Sequence, residues 1–529
     1  MFELGDKRGK NMKLSHEVLK EKINGCFMGK CIGGTLGAPF ECYRGVNNVE
    51  FYVQKLNCEP IPNDDLDLQL VWLNAVERNG KNTNADVLAE HWISFVSPNW
   101  SEYGAAKNNL KSGIVPSHSG FINNPNRNSC GAFIRSEIWA CLAAGNPNIS
   151  VNYMLQDAMV DHSEEGVYSA VFCAAMQSAA FCENDIKNLI KIGLSYIPED
   201  CAVAKAVKLV MDLHENGVKW KEVRRRLLIE FPATFGMILG YKDTEAELDI
   251  PIGEMGYDAP SNIGFIIIGL LYGEGDFGKS ICLATNCGED TDCTAATVGA
   301  LLGIINGEEK IPQKWKEPIG KKIATQFVNF SDAGCSVPKT VGELTDRIIK
   351  VIPEFLGQQY YEFNDNYGYS VICQKNLYMQ DIKYNNFYSV NFLDVLKQQP
   401  FGIHKSCHLF DVWVDYGQPP YIESGKKYVV SIKMKSNIRQ HQWINVKCLI
   451  EENSFTLPIN NLNFCLEQDH GCVGMGEFEL ELIAPATLCK ERYEAILDIT
   501  SKGHHTRLFV PLTFLNSPVP QCDEGYLKN

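Results

Sequence analysis

The chain has 529 residues, more than one hydrophobic core usually serves, so two or three domains are expected. Apolar residues make up 45% and charged residues 21%, a globular balance, and no apolar run approaches the ~20 residues that span a bilayer. A formal net charge of −15 argues against a nonspecific nucleic-acid surface.

From 13 to 355 the sequence predicts an all-α domain. Apolar residues recur at helical spacing over 14–31, 66–78, 85–95, 131–144, 152–182 and 185–197. The same holds over 201–216, 220–229, 262–272, 278–287 and 291–306. The basic run from Lys221 to Arg226 reads as a solvated helix face. A junction rich in Gln, Tyr and Asn follows at 357–368. From 365 to 520 the segments become β-branched, aromatic and alternating, with turn residues such as Gly425, Asn453 and Gly503 between them. That pattern predicts a β-sandwich accessory domain. The 20 cysteines include no C-x-x-C pair, and several sit inside apolar helical runs. With an N-terminus that lacks a signal-peptide core, a reducing, cytoplasmic setting without a membrane partner is expected.

Two acidic clusters carry the chemistry, Asn63-Asp64-Asp65 and Asp290-Thr291-Asp292, more than two hundred residues apart. Each opens an apolar helical pattern. Adjacent carboxylates repel, and neither cluster contains a Lys or Arg to pair with it. Taken singly, each reads as a helix N-cap. Together with their neighbours they favour a shared site for a hard cation, because oxygen ligands suit Mg²⁺, Mn²⁺ or Ca²⁺.

Four neighbouring segments add to this. Gly25, Gly29 and Gly33 recur every fourth residue, placing small residues on one helix face and permitting close helix contact. Glu41 emerges just beyond, where it either faces a cleft or lies on the surface. Ser129-Cys130-Gly131 starts a helix whose free N–H groups suit an anion. One turn on, Arg135 either clamps that anion or pairs with Glu137 or another acid. His162 stands among Asp157, Asp161, Glu164 and Glu165, as a hydrogen-bonded structural residue or a ligand contact.

These segments together resemble the ADP-ribosylglycohydrolase family. The glycine-rich opening ending Gly37-Ala38-Pro39-Phe40-Glu41 matches its N-terminal motif, Asp64-Asp65 its first metal motif, and His162 the histidine of its ligand cleft. The stretch from Asn286 to Pro312 matches its Asn-x-Gly-Gly-Asp-Thr-Asp-Thr helix with the trailing Pro. The resemblance covers residues 20–320, and the insert from Trp100 to Pro147 looks like that of large bacterial members of unassigned substrate. It implies an all-α fold holding one or two Mg²⁺ ions, with Mn²⁺ or Ca²⁺ as alternatives. Asn63, Asp64, Asp65, Asp290 and Asp292 would be ligands, and Glu41, Asp65 and Asp292 catalytic. Gly131, Arg135, His162 and Asn286 would face the bound molecule. The implied reaction is hydrolysis of an N- or O-glycosidic bond at the ribose of an ADP-ribosylated or related ribosyl substrate.

The chain departs from that pattern at four places. Asn63 and Leu66 replace threonines flanking the first acid pair, Glu289 replaces the second glycine, and Cys293 replaces the last threonine. Cysteine is a poor ligand for Mg²⁺. Two alternatives therefore stand beside the hydrolase. One is a catalytically impaired ADP-ribose- or nucleotide-binding protein. The other is a nucleoside- or carbohydrate-processing hydrolase with a glycan-binding β domain, favoured if Trp413, Tyr416, Tyr421 and Trp443 share an exposed face; such rings are more often packed.

Overall fold

The computed structural model describes residues 12–232, 240–241, 250, 256–329, 336–364, 368–379, 402–438, 440–467 and 474–516. The expectation about the extreme N-terminus lies outside these residues. The chain divides near Ser389 into two compact units, one helical and one β.

The helical unit is organised around the helices His16–Gly37 and Thr291–Asn306. The glycine repeat does what its spacing predicts. A Cβ on Gly25, Gly29 or Gly33 would lie 2.3, 2.0 or 2.1 Å from the carbonyl oxygens of Gly303, Gly299 and Ala295. Gly299 and Gly303 return the contact on Gly29 and Gly25. Backbone therefore touches backbone along the whole stripe, which no side chain would allow. Buried Trp72, Trp92, Trp139 and Trp315 fill much of the surrounding core.

Several predicted boundaries shift. The periodic stretch 152–182 is two helices, Pro147–Ala158 and Glu165–Ala179, parted where Glu164 takes φ +48°. The basic run is not wholly solvated: Arg224 is fully buried and donates from Nε to the Cys287 carbonyl at 2.5 Å. Within the stretch read as β from 365 onward, Tyr369–Ile372 forms a strand, yet it pairs with Lys13–Leu14 and Tyr361–Phe363. Leu14 and Val371 are buried there, so this strand belongs to the helical unit and the 13–355 boundary falls short of it.

The β unit contains two four-stranded antiparallel sheets. One runs Asn461–Leu466, Gln442–Ile450, Arg492–Ser501, Arg507–Leu515, and the other Met475–Ile483, Lys427–Ser436, Phe410–Asp415, Gly402–Ser406. Alternate residues are buried, as in Tyr428, Val430, Ile432 and Met434, the pattern of sheets with one packed face. The four aromatics do not form one exposed platform. Trp443 is 56% exposed, but Trp413 stacks on His404 in the other sheet, and Tyr416 packs edge-on against Phe514.

Candidate metal and ligand site

The two acidic clusters meet because the helices they open both lie against the glycine-bearing helix. Asn63 is the N-cap of Asp64–Asn79, and its Oδ1 accepts the Asp65 N–H at 2.8 Å. Capping is thus done by the asparagine, which frees Asp64 and Asp65 for other partners. Asp290 holds the cap position of Thr291–Asn306, yet its side chain caps nothing. The N-cap explanation therefore accounts for Asn63 and fails for Asp290.

A cavity of about 550 Å³ opens over these residues. Its floor includes Glu41, Asn63, Asp64, Asp290, Asp292 and Cys293, and its wall includes Trp100, Tyr103, Tyr257 and Phe327. Carboxylate oxygens of Glu41, Asp290 and Asp292 lie within 4.8 Å of one another. The Tyr257 hydroxyl donates to Glu41 Oε1 at 3.0 Å, and the Tyr103 hydroxyl to Asp64 Oδ2 at 2.9 Å. Asp290 Oδ1 and Asp292 Oδ1 are buried with no hydrogen-bond partner. Buried polar atoms are rarely left so, and two aimed into one acidic cluster point to a cation.

The electrostatics agree. Asp292, then burial, then Asp64 push the Glu41 carboxyl up to about 9. Burial and then Asp65 raise Asp64 to about 6. Asp290 is driven well up by burial, Asp292 and Glu41 together. A divalent ion is what would relieve this crowding. The oxygen set of Glu41, Asp290 and Asp292 fits a hard cation; a second set, Asp65, Asp292 and Cys293, brings in a thiol and fits Mg²⁺ poorly.

Asp65 also has a cation that the local sequence does not reveal. Lys30 comes from the glycine-bearing helix and sits 3.1 Å from Asp65 Oδ2 and 3.3 Å from Glu137 Oε2, all three buried. Burial pulls the Lys30 ammonium down, but Asp65 and Glu137 outweigh it and hold it charged. The cluster itself contains no basic residue, and its partner comes from another helix.

Of the expected ligand contacts, only Gly131 lines the cavity. A Cβ there would meet Glu102 Oε1 at 2.2 Å, so the position has no room for a side chain. Arg135 is fully buried away from that lining and lies between Asp157, 2.9 Å from Nε, and Asp161, 2.5 Å from Nη2. Of its two sequence readings, the internal pair forms, because two acids one helical turn apart reach it before any ligand could. His162 is buried too, with Nε2 2.9 Å from Ser129 Oγ and Nδ1 3.0 Å from Asp161 Oδ1. Asn286 clips the Val49 backbone, accepting its N–H at 2.6 Å and donating to its carbonyl at 3.2 Å. These three shape the site from behind. Asn63 lines the cavity while its amide oxygen caps the helix and its nitrogen donates to Asp292 Oδ2 at 2.9 Å.

Tyr257 and Phe327 join the cavity wall with no signal in their local sequence. For Trp100 and Tyr103 the cue is slight: they flank Glu102 in the long insert. Glu289 stands where the family pattern has a glycine. It takes φ +64°, a conformation that glycine adopts freely, and its carboxylate is held by buried Arg44 at 2.6 Å. That ion pair accompanies the change.

Fold and cleft together define a helical unit with an acid-lined cavity. The model of the ADP-ribosylglycohydrolase family matches residues 15–350, and the chain belongs to that family. The match ends before the β unit begins. No curated protein matches the chain.

Proposed function

We propose that the helical unit is a metal-dependent hydrolase acting on an N- or O-glycosidic bond at the ribose of ADP-ribosylated or related ribosyl substrates. The observation that carries this is the pair of buried, unpartnered oxygens on Asp290 and Asp292, beside Glu41, on the floor of one cavity. Glu41, Asp290 and Asp292 would hold the divalent ion, with Asp64 facing them. When bound, such an ion orients ribose hydroxyls and water and stabilises developing negative charge.

The remaining work falls to side chains. Tyr257 donates to one oxygen of Glu41 and so fixes this carboxylate at the cavity, beside the ion it would help to hold. The crowded carboxylates favour positive charge at the anomeric carbon as the bond opens. Tyr103 orients Asp64 from the wall. Trp100, 48% exposed and edge-on to Phe327 at 5.1 Å, offers a flat surface for a base or other planar group. Release of free ADP-ribose from an ADP-ribosylated protein or small molecule, dependent on Mg²⁺ and lost in Asp292→Ala, tests the proposal. An undiminished rate with EDTA present would sink it.

The binding-protein alternative keeps one specific observation in its favour, the engagement of Asp65 by Lys30. Calorimetry with ADP-ribose beside a hydrolysis assay on one sample separates the two. Tight binding without product selects the binding protein.

A further inference from the structure

We infer that this chain holds a single divalent cation, and that Lys30 supplies the second positive charge as a permanent part of the protein. The inference rests on the metal-dependent function proposed above and concerns how many ions that site takes.

Two groups of possible ligand atoms share Asp292, and they differ in what already occupies their atoms. In the group of Glu41, Asp290 and Asp292, the Oδ1 atoms of both aspartates are buried and unpartnered. Asp290 is 2% exposed and Asp292 5%, so solvent does not satisfy them. That group is open to an ion.

In the group of Asp65, Asp292 and Cys293, Asp65 and Cys293 are already engaged from within. Asp65 Oδ2 accepts from the Lys30 ammonium at 3.1 Å, and Asp65 Oδ1 from the Cys293 thiol at 3.3 Å. Asp292 Oδ2 accepts from Asn63 Nδ2 at 2.9 Å. An ion entering here would have to compete with Lys30 and Cys293 for both oxygens of Asp65 and take a thiol as its third ligand.

The ammonium cannot easily withdraw. Lys30 also lies 3.3 Å from Glu137, whose two oxygens accept from Gln69 at 2.9 Å and Gln177 at 3.1 Å, and Ser136 in turn donates to Gln177 at 2.8 Å. Every member of this network is buried. A buried ammonium so fixed also repels a dication placed against Asp65. Lys30 does not line the cavity, so it acts through Asp65 as a positioning residue.

Mn²⁺ is the probe. Equilibrium binding to the full chain, followed by the electron paramagnetic resonance of free and bound Mn²⁺, is expected to give one ion per chain with the spectrum of an isolated centre. Two ions per chain with an exchange-coupled spectrum overturn the inference. The double variant Lys30→Met, Cys293→Thr removes the built-in charge and restores an oxygen donor, and it is expected to raise the count from one to two. A folded double variant that still binds one ion overturns the role given to Lys30. Should that variant not fold, the count on the unaltered protein still decides the number of ions.

Hydrolysis measured on the same samples keeps the two claims apart. One ion without hydrolysis sinks the proposed function and spares this inference. Two ions with hydrolysis do the reverse, and no bound Mn²⁺ removes both.

Discussion

Gly29→Ala tests whether the glycine stripe is what brings the acids together. The added Cβ would lie 2.0 Å from the Gly299 oxygen and 2.6 Å from its carbon, both backbone atoms that cannot turn aside. That is more than about 1 Å inside ordinary contact, so the two helices must part. Overpacking of this kind costs about 1–3 kcal/mol, and replacing a helical glycine returns roughly 1 kcal/mol at most. A net loss of up to about 2 kcal/mol corresponds to a melting temperature lower by up to about 3 °C for a unit of this size. The effect on the site should be larger. Thr291–Asn306 carries Asp290 and Asp292, and a displacement of about 1 Å at reacting groups can cost a hundredfold in rate. Gly342→Ala is the control. Its Cβ would meet only Thr340 Oγ1, at 3.9 Å, so its melting temperature should hold or rise. Thermal unfolding and Mn²⁺ titration of both variants provide the readout. If Gly29→Ala melts and binds Mn²⁺ like the parent, the stripe does not set the site.

Three further outcomes are expected. Asp64→Ala and Asp292→Ala should each lower ribosyl-bond hydrolysis by at least about a hundredfold, since a positioned ion is worth several kcal/mol in the transition state; steady-state rates on purified protein check this. Arg135→Met should destabilise the protein by about 3–5 kcal/mol, because Asp157 and Asp161 would stay buried without their partner; a variant that melts normally but binds ADP-ribose poorly would restore the ligand clamp. The metal-free protein should lose stability as pH rises from about 4.5 towards 9. Glu41 is raised to about 9 in the fold, chiefly by Asp292 and then burial, so the folded state binds more protons than the unfolded chain across that window. Its stabilising contribution is therefore complete at low pH and lost as Glu41 ionises. Saturating Mg²⁺ should flatten the trend, and identical melting-versus-pH curves with and without Mg²⁺ would count against a cation beside Glu41.

Local sequence carried what depends on chain-local spacing. The four-residue glycine repeat announced a close helix contact, and the alternation after residue 400 announced sheets with one packed face. Adjacent aspartates at helix starts marked the candidate cation site, and Glu41 beyond the glycine-bearing helix lines the same cavity. None of these needed a long-range contact to be read, because helix and strand periodicity fix which residues share a face.

Tertiary structure alone decided the partners. Nothing near Asp65 in the chain is basic, yet Lys30 reaches it from a helix thirty-five positions earlier. Arg135 and His162, which sit among plausible ligand contacts in the sequence, are claimed by Asp161 instead, and Asn63 spends its amide on a cap and on Asp292. Charge pairing and hydrogen bonding are settled by distance through space and by the cost of leaving a buried group unpaired. A sequence states which groups need partners; the fold determines which partners they find.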